Sequence, residues 1–138
     1  MITANDCTAK YGDPYKENNM VLFQVPKNLQ VGNIPKKIYC NKDLVEPLKQ
    51  AFKNLIDTGK VDELKTWDGC FSIRPMRGGN GFSIHSWGLA IDVNAAENPM
   101  GRNPKLSTEF VECWTKAGFQ WGGYWNIKDG MHFQLAKI

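Results

Sequence analysis

Two short stretches restrict the architecture more than anything else in this 138-residue chain. "LAIDVNA" (89–95) and "MHFQLA" (131–136) both alternate apolar and polar side chains. Successive side chains of a strand point to opposite faces, so a period of two marks a strand with one buried face. In the first stretch Ile91 and Val93 go to one side, and Ala90, Asp92 and Asn94 to the other. In the second, Met131, Phe133 and Leu135 share a face, and His132 and Gln134 share its opposite. Each strand thus offers a core face and a face that carries an aspartate or a histidine.

The rest of the chain supplies partners for the core faces. "CNKDLVEPLKQAFKNLIDTG" (40–59) places Leu44, Leu48, Ala51, Phe52, Leu55 and Ile56 on one helical face. Asp43 with Glu46 forms a plausible capping box, Asn41 is the alternative cap, and Gly59 is a suitable stop. "CFSIRPM" (70–76) sets Phe71 and Ile73 against Ser72 and Arg74 and is expected to be a further strand. "RGGNG" (77–81) reads as a turn or mobile loop. "STEFVECWTKAG" (107–118) is a second helix that buries Phe110, Val111, Trp114 and Ala117. Asp129-Gly130 is a turn pair leading into the last strand. Residues 1–37 are rich in Asn, Pro, Gly and Lys, with one apolar burst at 20–25, and are expected to form an irregular, extended arm with a short strand or strap at that burst. The fold class is therefore α+β: a small, mostly antiparallel sheet with helices packed on one face. A single domain is expected, with an N-terminal arm (1–37) and a core unit (38–138).

Charge and cysteine usage narrow the partners. The net charge is +3, a mild balance that by itself is compatible with nucleic acid as well as with other anionic polymers; no dense Lys/Arg run occurs, and the expectation taken forward is without a nucleic-acid partner. A mild positive balance suits an anionic polymer such as a bacterial cell wall. The N-terminus lacks a basic start followed by an apolar run, and no window approaches a membrane span. The expectation is synthesis in a cytoplasm without a signal peptide, and no membrane insertion. Cys7, Cys40, Cys70 and Cys113 form no CxxC pair, which argues against a cysteine zinc site, and without a signal peptide they read as free, mostly buried thiols, with pairing after export as the alternative.

The chain has two histidines, His85 and His132. If the two alternating strands are neighbours, His85, Asp92 and His132 converge. Two histidines and one carboxylate form a three-ligand shell for catalytic zinc, with a fourth position for water. Asp129, three residues before His132, is a candidate proton acceptor. Arg74, on the polar parity of its expected strand, is a candidate partner for a developing oxyanion. Each residue also has a plainer reading. A lone histidine on a strand commonly satisfies local packing, Asp-Gly is a good turn without any catalysis, and an exposed arginine often forms a weak ion pair.

The motifs carry a resemblance. "SIHSWGLAID" fits S-x-H-x-x-G-x-A-x-D, "DGMHF" fits D-x-x-H-F, and "GFQWGGYW" stands between them. Together they resemble the VanY-like zinc D-Ala-D-Ala carboxypeptidase family, and within it the phage endolysins that act as L-alanyl-D-glutamate peptidases. The resemblance runs from about Cys40 to Leu135. It implies one Zn2+ per chain held by His85, Asp92 and His132, with Asp129 as general base and then acid. It implies Arg74 near the substrate carbonyl, with Arg77 as the competing choice, and Ser83 as a supporting hydrogen-bonding residue. Tyr124 and Trp125 are implied groove walls, while Trp121 is the better core candidate. Gln134 stands where many relatives carry an acid, so the hydrogen bonding of His132 is expected to differ. The implied substrate is bacterial peptidoglycan, reached from the host cytoplasm with the help of a separate pore-forming protein, by a monomer. A D,D-carboxypeptidase trimming terminal D-Ala and a non-catalytic zinc-binding module are the alternatives.

Overall fold

The computed structural model describes residues 1–76 and 81–138. Three helices, α1 (Ala4–Tyr11), α2 (Val45–Asp57) and α3 (Thr108–Thr115), accompany two antiparallel sheets. Strands β1 (Met20–Gln24) and β2 (Lys37–Asn41) form a two-stranded sheet. Strands β3 (Trp67–Gly69), β4 (Ala90–Val93), β5 (Phe119–Trp121) and β6 (His132–Leu135) form the second, in the order β3-β4-β6-β5. The α+β class holds, with two small sheets in place of one.

The alternation in β4 and β6 has the expected result. Ile91 pairs with Phe133 and Asp92 with His132 across the two strands. Paired residues of an antiparallel ladder share a face. Ile91, Val93, Phe133 and Leu135 enter the core, where the ring of Trp114 from α3 lies 5.2 Å from Phe133 and 5.4 Å from Phe119. Phe52 from α2 meets the edge of the same Trp114. The helices thus cover one face of the four-stranded sheet and leave the Asp92–His132 face for other use.

Helix α2 is entered through a 3-10 turn, Lys42–Leu44, capped by Asn41, whose Oδ1 accepts from the Asp43 amide at 2.9 Å. Asn41 is the cap, and the Asp43–Glu46 box is not formed. Asp43 is engaged elsewhere, accepting a 2.6 Å hydrogen bond from the Tyr11 hydroxyl.

Two expectations are corrected. The first 37 residues are not an extended arm throughout, because they begin with α1. A complete capping box between Thr3 and Asp6 starts that helix, and Ile2, Cys7 and Tyr11 are buried beneath it. Residues 70–76 are not a strand. The ladder with β4 uses Trp67–Gly69 and is irregular there, and the following segment makes only an isolated bridge between Pro75 and Phe82. Gly69 (φ 143°) turns the chain off the ladder before Phe71 and Ile73 are reached. β5 was not expected. It is three residues long, too short for periodicity to register.

Candidate metal centre

The centre is assembled from β4, β6 and the 3-10 turn Ile84–Trp87. Register brings Asp92 opposite His132, so their side chains rise from the same sheet face. His85 arrives from the turn. Ser83 caps it, its Oγ accepting from the His85 amide at 3.3 Å. Gly88 closes it with φ 68° and donates its amide to the His85 carbonyl at 3.0 Å. Glycine is required at 88 on two counts: the left-handed backbone, and a Cβ that would stand 2.7 Å from the Asn41 nitrogen and 2.6 Å from Met20 Cε. The turn is braced from outside by Trp87, whose Nε1 donates to the Gly12 carbonyl just beyond α1.

His85 Nε2 lies 3.2 Å from Asp92 Oδ2, and His132 Nδ1 lies 3.5 Å from Asp92 Oδ1. All three ligand-type atoms fall within 4.8 Å of one another. Donors bound to zinc at tetrahedral angles stand about 3.3 Å apart, from bond lengths of about 2.0–2.1 Å. The spacing therefore fits a shared small cation.

Hydrogen bonding on the far side of each ring supports the same conclusion. His85 Nδ1 meets the Cys70 carbonyl at 2.7 Å. A carbonyl only accepts, so Nδ1 carries the proton and Nε2 presents a lone pair. His132 Nε2 meets the Gln134 Oε1 at 2.8 Å, which leaves the Nδ1 lone pair facing Asp92. His85 Nε2 is buried without a hydrogen-bond partner among the described residues. Two lone pairs directed at one carboxylate are compatible only when a positive charge sits between them, as added protons or as a metal. With added protons in that space, burial pushes the Asp92 carboxyl up, but hydrogen bonding and charge from His132 and His85 outweigh it and hold the group well below the ordinary carboxylate range.

Arg74 reaches the centre, although not from a strand. Its Nη2 is 3.8 Å from Asp92 Oδ2, and its side chain is partly exposed at the rim. Asp129 stands outside the three-ligand cluster. It is tied to the same strand by its carbonyl, which accepts from the His132 amide at 3.1 Å, and its own amide donates to Gly122 at 3.0 Å. A Cβ at Gly122 would come within 2.5 Å of the Asp129 carbonyl oxygen, which accounts for a glycine in "WGG". Trp121 is buried and donates to the Gly130 carbonyl at 2.7 Å, so it belongs to the core and steadies the Asp129 turn. Trp125 places its ring 5.2 Å from that of His132, while Tyr124 is exposed and meets the edge of Trp121. Gln134 is fully buried beside His132. Arg77 lies outside the described residues.

Two participants escaped the sequence reading. The Cys70 carbonyl holds His85, and a main-chain acceptor leaves no trace in residue type. Ser86 occupies a variable position of the motif, yet its buried hydroxyl contacts the Arg74 backbone.

A buried pair of histidines and an aspartate, with both far nitrogens held, defines a candidate transition-metal centre. Residues 77–135 match a family model described as D-alanyl-D-alanine carboxypeptidase. The matched stretch contains His85, Asp92, Asp129 and His132. The match supports a metallopeptidase related to peptidoglycan-type substrates. Neither the curated proteins nor the solved structures contain a significant match to the chain.

Proposed function

We propose that this chain is a zinc-dependent peptidase of the peptidoglycan stem peptide, cutting the L-alanyl-D-glutamate bond as a phage endolysin. The observation that carries the reading is the convergence of His85 Nε2, Asp92 and His132 Nδ1 with the opposite nitrogens already engaged. These three residues would hold the metal. When bound, zinc supplies Lewis-acid polarisation of a carbonyl and a water acidic enough to deprotonate near neutral pH.

The protein's own groups divide the remaining work. Asp129 takes a proton from the attacking water and returns it to the departing amine. Arg74, already at the rim beside Asp92, faces the carbonyl oxygen as negative charge grows on it. Ser83 keeps the His85 turn in shape. Trp125 and Tyr124 line the approach, and Arg77 is a second cationic candidate for binding the substrate. The enzyme acts as a monomer at the cell wall, after synthesis in the host cytoplasm and release through a separate pore-forming protein.

The description of the matching family favours a second reading, removal of a terminal D-Ala. The products separate the two. Mass spectrometry of muropeptides after digestion of purified wall should show stem peptide released from the sugar. Free D-alanine as the sole new product would replace the endopeptidase with the carboxypeptidase. No product from zinc-loaded protein would leave a metal-binding module.

A further inference from the structure

Residues 70–76 follow the sheet without joining it, and yet Arg74 stands at the rim of the metal centre. What fixes it there is the turn that carries His85. The Ser72 amide donates to the His85 carbonyl at 3.2 Å, and the Ser83 amide donates to the Arg74 carbonyl at 2.9 Å. Between them sits Ser86, fully buried. Its Oγ accepts from the Arg74 amide at 3.2 Å and donates to the Arg74 carbonyl, also at 3.2 Å. One hydroxyl therefore accepts from the arginine amide and shares its carbonyl with the Ser83 amide, so the Arg74 backbone is held on both sides without a neighbouring strand.

We propose that Ser86 is the positioning residue for Arg74, its hydroxyl clamping the arginine backbone to the turn that bears the metal ligand His85. The proposal rests on the role given to Arg74 above. Metal ligand and arginine are then parts of one rigid unit, because Ser86 is the next residue after His85. A guanidinium on an irregular segment would otherwise sample positions an ångström or more apart. Misplacement on that scale is enough to cost roughly 100-fold in rate. Ser86 has no part in holding the metal, since its hydroxyl is taken up by Arg74 and it lies outside the three-ligand cluster.

The test compares Ser86→Ala, Arg74→Ala and the double variant with the parent protein, all loaded with zinc. Hydrogen exchange at the Arg74 amide should accelerate at least about tenfold in Ser86→Ala, with zinc content unchanged. On purified wall, kcat should fall by about 10- to 100-fold while KM stays within about threefold. In the Arg74→Ala background, removing the Ser86 hydroxyl should cost less than about twofold more, because the two residues act through one interaction. Fully additive losses, loss of zinc together with activity, or an unchanged kcat despite faster exchange would each overturn the proposal. If Ser86→Ala does not fold, Ser86→Cys keeps the volume with a weaker donor and carries the same comparison. Exchange is read without any substrate. A parent that cleaves no wall material therefore refutes the proposed function alone, and the clamp then stands or falls on the exchange rate of the Arg74 amide.

Discussion

Nδ1 of His85 donates a hydrogen bond to the main-chain carbonyl of Cys70 across 2.7 Å. One metal-ligand candidate is thereby oriented by backbone, which no side-chain substitution removes. The other, His132, depends on a side chain, the amide of Gln134 at 2.8 Å. The two histidines should respond differently to mutation of their surroundings.

Gln134→Leu removes the acceptor that holds the His132 Nε2 proton and keeps similar volume. Zinc affinity, measured by competition with a chelator, should fall by about 10- to 100-fold. An affinity equal to that of the parent would mean that Gln134 does not orient the ligand.

His85→Ala and Asp129→Ala should separate binding from chemistry. The first should lower zinc content below one ion per chain and abolish the rise in Tm that zinc gives the parent. The second should keep full zinc content and lose wall hydrolysis by about 10²- to 10⁴-fold. Near-parental hydrolysis by Asp129→Ala would remove it as the proton carrier.

Gly88→Ala should be among the most damaging single changes. Its φ of 68° disfavours a side chain by about 1–2 kcal/mol. The added Cβ also meets the Asn41 backbone nitrogen, which cannot move without disturbing β2. A loss of more than about 2 kcal/mol in urea unfolding is expected. Gly59→Ala, with φ 70° and open space around the new Cβ, is the control for backbone strain alone. Equal losses in the two variants would show that the close approach at Gly88 is unimportant.

Alkaline pH should destabilise the protein through its buried thiols. Burial pushes Cys7 and Cys40 up to about 12 from an ordinary value of 9.0. The unfolded chain releases these protons near pH 9, while the folded chain keeps them until about pH 12. Their stabilising contribution is complete below pH 9 and is lost as the pH rises from 9 towards 12. Urea unfolding under reducing conditions at pH 8, 9.5 and 11 should show the decline, and Cys40→Ala should reduce its slope. An unaltered slope would assign the effect to other groups.

Two members of the candidate ligand set, Asp92 and His132, were legible as neighbours because a strand has a period of two. Alternation put Asp92 and His132 on their polar faces before any pairing was known, and the β4–β6 register brought the two faces together. Arg74 was chosen for its parity on a strand that does not exist. It reaches the rim because Ser83 and Ser86 hold its backbone, a long-range arrangement that periodicity cannot express. Helix α1 was missed because its sequence is polar and short, and tertiary burial of Ile2, Cys7 and Tyr11 supports it. Its Thr3–Asp6 box was present in the sequence as a start signal.

The β4–β6 pairing has a consequence for how errors are tolerated. Asp92 and His132 alternate along their strands with Ile91 and Phe133, so a slip of one residue in either strand exchanges the two faces. The slipped chain would bring a carboxylate or an imidazole into the layer beneath Trp114 and turn an apolar residue outward. A misregistered molecule would therefore lose its packing and its metal-binding capacity together. Proofreading of the strand pairing is built into the same residues that would do the chemistry.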